Sequence, residues 1–164
     1  MVNEYALFDE VRQVLETCFG PIDLESDVYP FTFTDYYDKE MGESLQKQIV
    51  SFERLIDKNE LAAKKRRSNE IEEEFARGDG DSWHRRVNID PGYVTDSKLV
   101  LASTKNFSHR IYLGEGIFAE VTLRYVRVKG FEPFEWTYPD YRTDLLRSFF
   151  ESVRQRYMEQ VRDT

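Results

Sequence analysis

Residues 109–126 constrain the fold more than any other stretch of the chain. Two runs rich in β-branched and aromatic residues, His109 to Leu113 and Ile117 to Val126, are separated only by Gly114-Glu115-Gly116. Two glycines in so short a connection supply the positive φ that a tight reversal needs, so the pair reads as a β-hairpin. A lone hairpin is marginal in water and needs further strands and a packed face. Alternation within the second run puts Phe118, Glu120 and Thr122 on one face and Ile117, Ala119, Val121 and Leu123 on the other. Glu120 then faces solvent or a cleft. If buried it needs a cationic partner, and Arg110 or Lys105 is the obvious choice.

The rest of the chain supplies helices and more strands. Phe8, Val11, Leu15 and Cys18 recur at helical spacing, which predicts a helix from about Glu4 to Phe19, stopped by Gly20-Pro21. Phe31 and Phe33 alternate with Thr32 and Thr34, which reads as a strand over about 30–38. Leu45 to Ile56 is ambiguous between strand and helix, and a strand pairing back on 30–38 is favoured. Asp57-Lys-Asn-Glu60 has the spacing of a capping box, with a charged helix to about Arg77 behind it. Within that helix Lys64-Lys65-Arg66-Arg67 reads as a solvated face, because the acidic run Glu70 to Glu74 follows within a turn. Gly78 to Ser82 reads as a loop. Arg86 to Asp90 reads as a strand, Thr95 or Asp96 as the cap of a short helix through Ala102, and Thr143 as the cap of a final amphipathic helix. The sum is an α+β fold, a mainly antiparallel sheet with helices packed on one face, in a single domain over residues 1–164.

Composition limits partners. The net charge of −8 and pI of about 4.9 weigh against a nucleic-acid footprint and against an anionic membrane surface. Aromatics at 15% give a chain of 164 residues enough bulk for a core without a disulfide or metal staple. The one cysteine, Cys18, allows no internal disulfide, reads as a small buried hydrophobe, and fits a reducing compartment. No run of about 18 apolar residues and no basic-then-apolar leader is visible, so no membrane span and a cytoplasmic location are expected.

The chain lacks a P-loop, G-x-G-x-x-G, H-E-x-x-H and C-x-x-C. With only His84, His109 and Cys18, a zinc site of nitrogen and sulfur ligands has too few donors, and no metal ligands are assigned. A magnesium or manganese site of carboxylates stays open. Two segments could carry chemistry. Val87-Asn88-Ile89-Asp90-Pro91-Gly92-Tyr93 ends a predicted strand in polar groups, with Asn88 and Asp90 either bonding a local turn or facing a ligand. Ser103-Thr-Lys-Asn-Phe-Ser-His-Arg110 gathers Lys105, His109 and Arg110 among hydroxyls, a mix that suits a phosphate or carboxylate. His109 could move a proton near neutral pH. Two aromatic clusters, Asp35-Tyr36-Tyr37 with Glu40, and Trp136-Thr-Tyr138-Pro-Asp-Tyr141-Arg142, could pack, line a pocket or form an interface.

Several runs carry a resemblance over nearly the whole chain. These are F-G-P-I-D (19–23), F-T-D-Y-Y-D-K-E-M-G (33–42), V-N-I-D-P-G-Y (87–93), K-L-V-L-A-S-T-K (98–105), S-H-R-I-Y-L-G-E-G-I-F-A-E-V-T-L (108–123) and W-T-Y-P-D-Y-R (136–142). In this order they resemble the bacterial family catalogued as domain of unknown function 4416. The resemblance implies no established reaction and no known cofactor. A GTP-binding label on some members has no P-loop here to support it. Members usually begin with an apolar strand ahead of the first helix, whereas here Met1 lies almost at the helix, so either the start is truncated or this member lacks the strand, and a missing strand would leave a sheet edge open.

Two functions follow as expectations. One is a site for a small anionic ligand, with Asp90, His109 and Glu120 as catalytic candidates. Asn88, Tyr93, Lys105, Arg110 and Tyr138 would be its binding residues. The other is a non-catalytic module that binds a protein or a second copy of itself, as a homodimer, through Tyr36, Tyr37, Trp136 and Tyr141.

Overall fold

A computed structural model of the chain describes residues 1–34, 38–42, 44–78 and 84–162. Asp35, Tyr36, Tyr37 and the loop residues Asp79 to Ser82 lie outside them. The chain divides into two compact units, Met1–Arg54 with Arg67–Ile89, and Leu55–Arg66 with Asp90–Thr164.

In the first unit, helix α1 spans Leu7–Phe19 and ends where Gly20 takes φ 101° and donates its N–H back to Glu16. Strand β1 (Ile22–Glu25) pairs antiparallel with β4 (Val50–Phe52), and β2 (Tyr29–Pro30) with β3 (Gln46–Lys47). The strand expected over 30–38 is therefore cut short. Pro30 has no N–H to extend a ladder, the Phe31 N–H makes a last bond to the Leu45 carbonyl, and Asp38–Met41 form a turn of helix, α2. Val2, Leu7, Val11 and Val87 form one buried cluster and Phe31, Met41 and Leu45 another.

The expected strand over Arg86–Asp90 reduces to a single bridge between Val87 and Val2. That bridge takes the Arg86 carbonyl and the Asn88 N–H, and Ile89 bonds elsewhere. Helix α3 (Leu61–Phe75) offers a polar stripe in which the Ser68 hydroxyl donates to the Ile89 carbonyl and Glu72 accepts from the Ile89 N–H. The capping box ahead of α3 forms as its spacing predicts, with Asp57 accepting from the Asn59 N–H at 2.9 Å and Glu60 accepting from the Asp57 N–H at 3.2 Å. The basic cluster is not uniformly solvated. Lys65 is buried and ion-paired with Asp90 at 3.2 Å, while Lys64, Arg66 and Arg67 make more exposed pairs.

The second unit holds a mainly antiparallel five-stranded sheet, which makes the fold α+β. The strands are β5 (Gly92–Val94), β6 (Lys98–Ser103), β7 (Ile111–Gly114), β8 (Ile117–Val126) and β9 (Gly130–Pro133), in the order β5-β6-β8-β7, with β9 also pairing β8. The segment expected as a short helix is β6. Leu99, Val100, Leu101 and Ala102 are all buried, the continuous apolar run of a central strand covered on both faces. The β7–β8 hairpin forms as predicted, with Gly114, Glu115 and Gly116 all at positive φ. Strand β9 follows a turn through Val128 and Gly130 that carries no Asn-Gly or Asp-Gly signal, and Pro133 masks it further. Helix α4 (Asp144–Arg162) packs on β5 and β9 through Leu146, Phe149 and Phe150, and the Thr143 hydroxyl accepts from the Leu146 N–H.

One irregularity resets the face pattern of β8. Its register against β6 pairs Val121 with Val100 and Leu123 with Leu99, leaving Thr122 as an extra residue, a β-bulge. Leu101 stands opposite Glu120 and shares a face with Leu99, so Leu123 lies on the Glu120 face, not the opposite one that simple alternation predicts.

Candidate functional site

The site is built on β8 and the loop 104–110, which joins the two strands flanking it. Ser103 at the end of β6 lies opposite Phe118, and Ile111 at the start of β7 lies opposite Ala119. The loop therefore closes over the next residue of β8, Glu120. Two local bonds shape the loop, from the Lys105 N–H to the Ser103 hydroxyl and from the Arg110 N–H to the Phe107 carbonyl.

Glu120 is only 3% exposed. Its Oε2 accepts from Arg110 Nε at 2.7 Å and lies 3.0 Å from His109 Nε2, while Oε1 accepts from the Thr122 hydroxyl at 3.3 Å. The Arg110 side chain is as buried as the carboxylate, at 3% exposed against 2%. Its other bonds run from Nη1 to the Ser103 hydroxyl and the Lys105 carbonyl, and from Nη2 to the Tyr138 hydroxyl. Burial alone would lower the Arg110 pKa, but hydrogen bonds to Glu120 and then Tyr138 outweigh it and the net shift is upward. The guanidinium stays charged, and an ion-paired carboxylate can only accept from His109. His109 Nε2 therefore carries a proton, and Nδ1 is the ring nitrogen that Glu120 does not engage.

A ladder of rings surrounds this triad. His109 stacks on Phe107 at 6.0 Å and on Trp136 at 5.1 Å, and Trp136 stacks on Phe134 at 4.7 Å, with interplanar angles of 14°, 12° and 4°. Guanidinium groups cap both ends, Arg110 over Phe107 and Arg124 over Phe134. The Trp136 indole is fixed by its N–H to the Val121 carbonyl at 3.0 Å. Arg142 clamps the backbone that carries Trp136 and Tyr138, donating to the carbonyls of Thr137, Phe134 and Glu135. Thr137 ties the same segment to β8 through its hydroxyl and the Thr122 carbonyl. The W-T-Y-P-D-Y-R run thus works as a bracket.

Tyr141, expected as an exposed interaction residue, is buried at 3% exposed. Burial first, then the charges of Asp140, Asp90 and Glu120, push its phenol pKa well above the ordinary value. It is a neutral hydroxyl behind the site, not a surface anchor.

The structure thus brings together His109, Arg110, Glu120 and Tyr138, with Lys105 joined through its carbonyl. Asp90 lies within electrostatic range of Tyr141, but its carboxylate engages Lys65. Tyr93 pairs with Val100 and packs with Leu61 and Ala102, on the face of the sheet opposite Glu120. Asn88 belongs to the first unit, where its side chain accepts from Arg85 and its backbone holds Met1. Thr122 was not a candidate, although its place two residues from Glu120 signals a shared face. Phe107 and Phe134 had no signal beyond being aromatic. Among the described residues no group of three or more His, Cys, Asp or Glu side chains is placed to hold a metal ion, and no helix is long and apolar enough to cross a membrane.

The model of one family, described as domain of unknown function DUF4416, matches residues 1–157, and the chain belongs to that family. No curated protein and no solved structure matches the chain.

Proposed function

We propose that this member of the DUF4416 family binds a small planar anion, a carboxylate or phosphate ester carrying a ring, at the rim formed by His109, Arg110, Tyr138 and Trp136. The observation that carries the reading is the buried Arg110–Glu120–His109 triad. A buried ion pair stabilises a fold no better than well-packed apolar residues, so its presence in the middle of a strand points to use rather than architecture.

The chemistry of the rim supports an anion. The bonds of Arg110 use four of its five N–H donors, leaving one on Nη2 beside the Tyr138 hydroxyl. Lys105 adds a second positive charge in the same loop, in a chain whose net charge is −8. Phe107 and Trp136 are 53% and 38% exposed, and a flat ligand could cover them. Where the ligand still carries an acidic proton, as a phosphate monoester monoanion does, His109 Nδ1 would accept it, with Glu120 holding the ring and stabilising the imidazolium that results.

The test is an NMR titration of the His109 imidazole and Trp136 indole signals with benzoate and with inorganic phosphate. Saturable shifts with benzoate are expected, weakened several-fold by Tyr138→Phe and by His109→Ala. If neither anion moves either ring at millimolar concentration, the proposal fails.

A further inference from the structure

Six of the twelve large apolar side chains exposed on the described surface are Phe107, Ile111, Tyr112, Leu113, Trp136 and Tyr138. They gather around β7, the terminal strand of the sheet order, whose inner edge pairs with β8 and whose outer edge meets no strand among the described residues. Ile111, Tyr112 and Leu113 are 71%, 59% and 43% exposed, so both faces of the strand are uncovered. An edge strand presents a row of backbone donors and acceptors, and proteins ordinarily guard it with lysine, proline or an inward charge. Ile111-Tyr112-Leu113-Gly114 has none of these. Its one irregularity is the register shift between Tyr112 and Gly114, at the turn end.

We infer that β7 is an interface between two copies of this chain, paired antiparallel about a two-fold axis through Tyr112. The edge itself selects a strand as occupant, because only a strand satisfies its backbone groups. Self-complementarity then selects a second copy. About that axis Tyr112 faces Tyr112 of the other copy and Ile111 faces Leu113, an aromatic pair flanked by apolar pairs. No charge falls inside the pairing segment, although the chain carries −8 overall. The nearest charge, Arg110, is turned inward onto Glu120. The six apolar side chains of each copy would together cover on the order of 1,000 Å², the low end for a specific interface, so the dimer is weak and reversible. The strand pairing rests on β7 and not on the anion reading, although Phe107, Trp136 and Tyr138 border both surfaces.

Sedimentation velocity across a concentration series from micromolar to millimolar tests it. A monomer–dimer equilibrium is expected, shifted at least tenfold toward monomer by Tyr112→Lys, which sets like charges against each other across the axis. Crosslinking reads the register without relying on that variant. In a Cys18→Ser background, Tyr112→Cys should form a disulfide-linked dimer on oxidation, because directly opposed residues lie within disulfide reach. Ile111→Cys alone should not, whereas Ile111→Cys combined with Leu113→Cys should. Monomer at every concentration overturns the inference. So does a dimer indifferent to Tyr112→Lys, or equal crosslinking at Ile111 and Tyr112. Loss of the dimer with unchanged benzoate shifts at His109 supports it separately from the anion site.

Discussion

Replacing Glu120 with leucine removes the carboxylate and keeps roughly its volume. Arg110 then loses its 2.7 Å partner while its side chain is 3% exposed, so little water can replace the lost acceptor. Removing one partner of a buried ion pair typically costs about 3–5 kcal/mol. Arg110 keeps Ser103, the Lys105 carbonyl and Tyr138, which places the expected loss near the lower end, about 3 kcal/mol. In a chain of this size each kcal/mol moves the melting temperature by roughly 2–4 °C, so Glu120→Leu should melt about 6–12 °C lower. Arg110→Met should cost a similar amount, because Glu120 keeps only His109 and Thr122. The double variant decides the matter. With both charges gone nothing is left buried and unpaired, and its loss should fall short of the sum of the singles by about 2 kcal/mol or more. Urea unfolding of the four proteins gives the cycle. Additivity within about 0.5 kcal/mol would refute the premise that the two groups depend on each other in a water-excluded site.

Two further expectations use other parts of the second unit. A Cβ on Gly92 would sit 2.4 Å from the Val100 carbonyl oxygen and 2.7 Å from Leu101 Cδ2, so Gly92→Ala should cost about 1–3 kcal/mol in urea denaturation, and a neutral result would mean β5 is not held that close to β6. The Tyr141 phenol has its pKa raised by burial, so its contribution to stability is intact below the unfolded value near 10 and is lost above it at up to about 1.4 kcal/mol per pH unit. Tyr141→Phe should therefore lose stability less steeply than the parent from about pH 10 upward, and parallel urea midpoints for the two would show that this hydroxyl ionises as easily folded as unfolded.

What could be read from the sequence divides along a physical line. Signals contained in a few neighbouring residues hold: the Asp57–Glu60 capping box, the Gly20 stop, the Gly-Glu-Gly hairpin and the Thr143 cap all form. Signals that depend on tertiary partners do not. Leu99–Ala102, read as the end of a short helix, proves a strand because both its faces are covered, and Arg86–Asp90 has strand composition but divides its backbone bonds between the N-terminal residues and α3 side chains. The same division runs through the site. Glu120 is anomalous in an apolar strand and names its partner, since Arg110 lies one strand away across a predicted hairpin. Asn88 and Tyr93 looked equivalent to it only because polarity at a strand end says nothing of which face or which unit a residue joins.

Thr122 gives the strand a spare part. Deleting it would leave Val121 opposite Val100 and Leu123 opposite Leu99 in an unbroken ladder, so β8 could lose this one residue without turning any other around. What the shorter strand would lack is the hydroxyl that donates to Glu120 and the carbonyl that receives Thr137. The length of β8 is thus set by more than sheet pairing. Its surplus residue ties the carboxylate of the site to the bracket that carries Trp136, and a chain one residue shorter could keep the same sheet while losing that tie.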